Sequence, residues 1–86
     1  MNISVELTLS PLQDEYEPAI IHFIKQLRAS NLNVLENPLS TQVYGDYDEV
    51  MKLLTVEIKE AFQLIENGLL HMKVVKSDRF EYEPHF

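Results

Sequence analysis

Residues Asn2–Ser10 alternate without a break: Ile3, Val5, Leu7 and Leu9 fall on one side, Ser4, Glu6, Thr8 and Ser10 on the other. A period of two is that of a β-strand, because successive side chains leave the backbone on opposite faces. The β-branched residues along it favour the same state. The stretch therefore predicts a half-buried strand, ended by Pro11, whose apolar face must be covered and whose other face is unusually polar.

Two stretches of helical period supply the cover. Pro18 fits a first helical position, where its missing N–H costs nothing. From Ala19 to about Asn31, Ile20, Ile24 and Leu27 form a stripe with Phe23 beside it, and Ser30-Asn31 marks the exit. Leu32–Asn37 reads as a second strand. The Asn37-Pro38-Leu39 turn joins it to a third, Ser40–Gly45, close enough for an antiparallel hairpin. Asp46 with Glu49 three residues on is a capping-box pattern. The second helix follows, with Val50, Leu54, Ile58, Ala61 and Ile65 as its stripe, widened by Met51, Leu53 and Phe62. Asn67-Gly68 is expected to end it, with Gly68 in the left-handed C′ position. Leu69–Lys76 is the last strand. The tail, residues 77–86, is polar and aromatic and is expected to be peripheral, along the surface or against a neighbour.

The order is β-α-β-β-α-β, the α+β ferredoxin-like arrangement. It predicts one domain over residues 1–86, with a four-stranded antiparallel sheet and two helices on one face. The first strand is then central, between the third and the fourth. Its polar face lies on the open side of the sheet, which in a small domain meets water or another subunit.

At 86 residues the core is small, and pairing with a second copy would add stability. With no cysteine there is no disulfide framework and no thiolate metal site. The formal charge of −7, without a basic stripe, disfavours nucleic acid and anionic membrane and suits a neutral or cationic small molecule. The opening residues lack the pattern of a signal peptide, and no apolar run approaches the ~20 residues of a membrane span. A cytoplasmic location is the expectation.

Glu6 is the most informative single residue, because a carboxylate is unusual in mid-strand at the centre of a sheet. It is either a solvated glutamate on an exposed face or a carboxylate enclosed between two sheets. In the second case it needs a hydrogen-bonding partner, since an unpaired buried charge is costly. The N–H groups and ring nitrogen of an aminopyrimidine would provide one. Gln42 and Tyr44 share one side of the third strand, with Ser40 at its start. If Val43 points to the core, they join Glu6 on the open face, and Thr41 points to the helices unless a bulge turns it. An amide, two hydroxyls and a carboxylate around an aromatic ring suit a flat polar heterocycle.

The histidines show no HxH or HExxH spacing, so no histidine-based metal site is expected. Asp46, Asp48 and Glu49 are explained by capping and the helix dipole. With Gly45 and Gly68 as the only glycines there is no phosphate loop. The one acid–base pair an enzyme could use is Glu6 with His71, whose strand face is open at this level; no catalysis is expected.

PLSTQVYGDYDEVM resembles the STQVFG-x-YD-x-VM signature of the YkoF-like thiamin/hydroxymethylpyrimidine-binding domain family. ISVELTLSPL resembles that family's first strand, with a glutamate at the position of Glu6 and a proline at that of Pro11. VLENPLSTQV resembles its VxTNxMSTQV hairpin, with Leu39 in place of the common Met. The resemblance covers about residues 2–76. It implies a ferredoxin-like domain that binds the pyrimidine half of thiamin without known catalysis, in uptake or salvage of thiamin or its precursor. By motif match, Glu6, Asn37, Ser40, Thr41 and Gln42 are the implied ligand positions. Tyr44 stands where the family often has Phe. No cofactor is implied beyond the ligand. Tandem members carry two such domains arranged like a dimer, so for this single domain the resemblance implies a homodimer or higher homo-oligomer. The negative charge favours the cationic thiazolium over a phosphorylated ligand.

Overall fold

The computed structural model describes residues 1–85; Phe86, the last residue of the tail, lies outside the described residues. The elements are β1 (Asn2–Pro11), α1 (Glu17–Arg28), β2 (Asn33–Glu36), β3 (Thr41–Asp46), α2 (Tyr47–Gln63) and β4 (Gly68–Val75). The sheet order is β2-β3-β1-β4, every neighbouring pair antiparallel. The fold is ferredoxin-like α+β, with β1 central as its alternation requires.

The apolar side of β1 makes the floor of the core. Ile3, Val5 and Leu7 are each 1 % exposed and pack with Val43 of β3, Phe23 and Leu27 of α1, and Val50, Leu54 and Ala61 of α2. Each such side chain contributes about 1.5–3 kcal/mol relative to exposure. Both helices therefore lie on one face. Cross-strand partners point to the same side of a sheet. The register Glu6↔Gln42, Ser4↔Tyr44 and Glu6↔Lys73 thus puts those residues together on the other face.

Several boundaries differ from the sequence expectation. Pro11 is still in β1, opposite Gly68. α1 begins at Glu17, one residue before Pro18, and ends at Arg28 rather than near Asn31. Ser30 stops it: its backbone N–H and its hydroxyl both donate to the Leu27 carbonyl, at 3.2 and 2.6 Å. β2 is shorter than expected, and β3 is shifted by one residue, to Thr41–Asp46. Asp46 caps α2, its Oδ2 accepting from the N–H groups of Asp48 and Glu49 at 3.2 and 3.3 Å. The buried line of α2 runs through Val50, Leu54, Glu57 and Ala61, and Ile65 lies beyond the helix end.

Gly68 is not the left-handed cap. α2 closes at Leu64, and Gly68 starts β4 without a positive φ. Glycine is needed there by close approach, since a Cβ would lie 2.6 Å from Ile65 Cδ1 and 3.0 Å from the Ser10 carbonyl oxygen. Gly45 carries the positive φ, +156°, where β3 passes Leu32. No helix among the described residues is long and apolar enough to cross a membrane.

Candidate functional site

The β2–β3 turn is built by Asn37. Its Oδ1 accepts from the N–H groups of Leu39 and Ser40 at 2.8 and 2.9 Å, and its own N–H donates to the Ser40 carbonyl at 3.1 Å. This is the local competition by which an Asn side chain replaces backbone partners in a turn. It fixes Ser40 at the mouth of β3, beside β1.

Ser40 then links two strands. Its hydroxyl donates to Glu6 Oε2 at 3.0 Å and accepts from Gln42 Nε2 at 2.7 Å. Glu6 is exposed and Gln42 half-buried in the single chain. Tyr44, two residues further along the same face, is 9 % exposed. Burial pushes its phenol above the usual value, and the charges of Asp78 and Glu6 push it further the same way.

Glu6, Gln42 and Tyr44 border a hollow of about 160 Å³ on the open face, with Ser4, Val5, Lys73, Val75 and Arg79 completing its lining. The hollow is one ring in size, below the ~300 Å³ usual for a fully enclosed small-molecule site. Another surface is required to close it.

The other two sequence candidates stand apart. Thr41 is 6 % exposed and pairs with Leu7, so it faces the helices, without a bulge to turn it. With Asn37 it borders a second hollow of about 180 Å³, floored by Leu7, Leu9, Ile20, Phe23 and Ile24. Ser40 borders this second hollow and reaches the first only through its hydrogen bonds with Glu6 and Gln42. The motif thus wraps the hairpin: Glu6, Ser40, Gln42 and Tyr44 are brought together on the open side, whereas Asn37 and Thr41 meet on the helix side. A hollow of about 410 Å³ between the α1–β2 connection and α2 is larger than either, but none of the six candidate ligand residues reaches it.

No family model and no curated protein matches the sequence. Solved structures do. Protein SP2199 from Streptococcus pneumoniae superposes with a TM-score of 0.85 at 24 % identity, covering 91 % of this chain and 89 % of that one. A putative thiamine biosynthesis/salvage protein from Thermotoga maritima superposes at 0.81 and 15 % identity, covering 90 % and 85 %. A domain of unknown function, DUF77, from Bacillus cereus gives 0.76 at 10 % identity, covering 91 % and 78 %. At these identities the likeness establishes the fold, one shared with a protein linked to thiamine.

The structure also brings in residues that the motif left out. Ser4, 8 % exposed on the open face, binds the tail twice: its hydroxyl donates to the Ser77 carbonyl at 2.6 Å and accepts from the Arg79 N–H at 2.9 Å. Phe80 then packs against Tyr44, ring centroids 5.4 Å apart at 60°. Strand parity would have put Lys73 beside Glu6 had the register been known; nothing in the tail's sequence signals Arg79. His71 pairs with Thr8, which puts it on the open face, but no hydrogen bond joins it to Glu6 among the described residues. His22 instead pairs with Glu60 across the two helices, at 2.8 Å.

Proposed function

We propose that the protein is a non-catalytic binding domain of the YkoF-like kind, for thiamin or its hydroxymethylpyrimidine moiety, acting in cytoplasmic uptake or salvage. The observation that carries this reading is the Gln42–Ser40–Glu6 chain of hydrogen bonds on the open face. Ser40 spends its donor on Glu6 Oε2, so Glu6 Oε1 is left to accept from a ligand N–H. Gln42 spends one amide N–H, so its Oε1 is likewise left as an acceptor. Two acceptors beside the Tyr44 hydroxyl suit the amino group and ring nitrogens of a flat aminopyrimidine. Asn37 acts through the turn that holds Ser40, and Thr41 offers its hydroxyl from the helix side of the same hairpin. A second copy laid against the open sheet would supply the missing wall and enclose Glu6. The thiamine-linked structural neighbour supports the ligand class.

Calorimetric titration with thiamin and with hydroxymethylpyrimidine tests the proposal. Saturable binding that disappears in Glu6→Ala, with the fold intact, is the expected result. No heat up to millimolar ligand would overturn it.

The exposure of Glu6, with Leu35 and Leu69 uncovered on the same face, favours a second reading. In it the open sheet is only a docking surface between subunits. A Glu6→Ala protein of equal or greater stability, with no pyrimidine bound by the wild type, would select that reading.

A further inference from the structure

Glu6 and Lys73 are direct cross-strand partners on the open face, yet no ion pair forms between them among the described residues. Opposite charges so placed ordinarily pair. Here the carboxylate is held toward β3 by Ser40, and the hollow of about 160 Å³ opens beside it. Arg79 reaches the same hollow from the tail. Its place is built, because the buried Ser4 hydroxyl holds both Ser77 and the Arg79 N–H. Its Nε donates to Ser77 Oγ at 3.1 Å, and no carboxylate forms an ion pair with the guanidinium among the described residues. Asp78 does not border the hollow; its Oδ1 accepts from the Phe80 N–H at 2.9 Å.

The rim is thus polarised, with one anion on the β3 side and, on the β4 and tail side, two cations without an ion pair among the described residues. We infer that the ligand of this site is a phosphomonoester of the pyrimidine, its ring on Glu6 and Gln42 and its phosphate between Lys73 and Arg79. The inference rests on the pyrimidine reading above and fixes the phosphorylation state that reading leaves open. The formal charge of −7 pulls the other way, toward a cation. Charges beyond the Debye length of about 8 Å are screened at physiological salt, so the rim decides. A phosphate fits two cations better than a carboxylate does, because it carries up to two charges and three acceptor oxygens.

Titrations of the full chain with hydroxymethylpyrimidine, its phosphate ester, thiamin and inorganic phosphate test this. The ester is expected to bind at least about tenfold more tightly than the alcohol, with the advantage shrinking as salt is raised. Lys73→Gln and Arg79→Gln, both at exposed side chains, should each remove most of that advantage, weakening the ester far more than the alcohol. Equal or weaker binding of the ester overturns the phosphate assignment while the pyrimidine reading stands. An advantage that survives both substitutions overturns the roles of Lys73 and Arg79. Binding of inorganic phosphate alone, or of nothing, removes the pyrimidine reading and this inference with it.

Discussion

Glu57 shows how one side chain can work against a fold. It lies on the buried line of α2, 8 % exposed, and its Oε2 has no hydrogen-bond partner among the described residues. Burial pushes its pKa up, the charge of Glu60 adds to the rise, and His22 partly opposes it. A carboxyl whose folded pKa is raised binds its proton more tightly when folded. Its stabilising contribution is complete below the ordinary carboxyl pKa and is lost as pH rises through the raised one. Chemical denaturation across pH 4–8 should therefore show a loss of stability toward neutral pH that Glu57→Gln reduces. Glu57→Leu should stabilise the protein at pH 7 by about 1–2 kcal/mol, because an unpaired buried charge gives way to an apolar side chain. A destabilised Leu variant would mean that Glu57 has a partner in solution. Ser40 makes the opposite case. Its hydroxyl serves only the Glu6–Gln42 chain, so Ser40→Ala should weaken pyrimidine binding about tenfold while costing less than ~1 kcal/mol of stability. Side chains whose roles are local were legible in the sequence: the Asp46 cap, and the parity that sets Glu6 against the core. Glu57 was not, because a stripe of apolar letters puts the helix meridian through Ile58. Packing against α1 and the sheet sets it one residue earlier.

Among the elements, the interiors followed from periodicity and the ends did not. An end is decided by a tertiary contact. Ser30 closes α1 on the Leu27 carbonyl, and the Ser10–Pro11 backbone closes on Gly68. The tail is the extreme case, as it has no period and its anchor is a serine 73 positions earlier in the chain. Arg79, the tail's contribution to the candidate rim, was hidden for that reason. Ser4→Ala removes both bonds to the tail and leaves the Ser77 carbonyl and Arg79 N–H to seek water. A loss of about 1–2 kcal/mol is expected, since two hydrogen bonds of ordinary worth disappear. Hydrogen exchange at the Arg79 amide should accelerate far more than exchange in β1. Equal acceleration in both would mean that Ser4 supports the sheet rather than the tail. Gly45 fixes another element boundary. A Cβ there would lie 2.7 Å from Leu32 Cδ2, on a backbone with φ of +156°. Gly45→Ala should cost about 1–3 kcal/mol, read as a lowered denaturation midpoint, with β3 and the start of α2 the first to exchange.

At the scale of the molecule, the sheet has an open face and, at β4, an edge with exposed apolar side chains, and these make different assemblies. On the open face, Leu35 and Leu69 are 42 % and 39 % exposed, Leu35 opposite Gln42 and Leu69 opposite Ser10. At the β4 edge, Met72 and Val74 are 46 % and 44 % exposed on the helix side, opposite Leu7 and Val5. A copy added edge to edge would cover Met72 and Val74 but leave the hollow open to water. A copy laid face to face would cover Leu35 and Leu69, exclude water from Glu6 and strengthen every polar contact to a ligand. If ligand binding needs closure, affinity must therefore track the face and not the edge. Sedimentation equilibrium should give a dimer that Leu35→Lys dissociates. Pyrimidine affinity should fall with it by about tenfold or more, because a half-open hollow leaves the charged contacts hydrated. Met72→Lys should leave both dimer and affinity intact. If Met72→Lys dissociates the dimer while Leu35→Lys does not, the copies pair at the edge. The hollow would then have to be closed by the tail alone, which Ser4→Ala would reveal as a loss of binding.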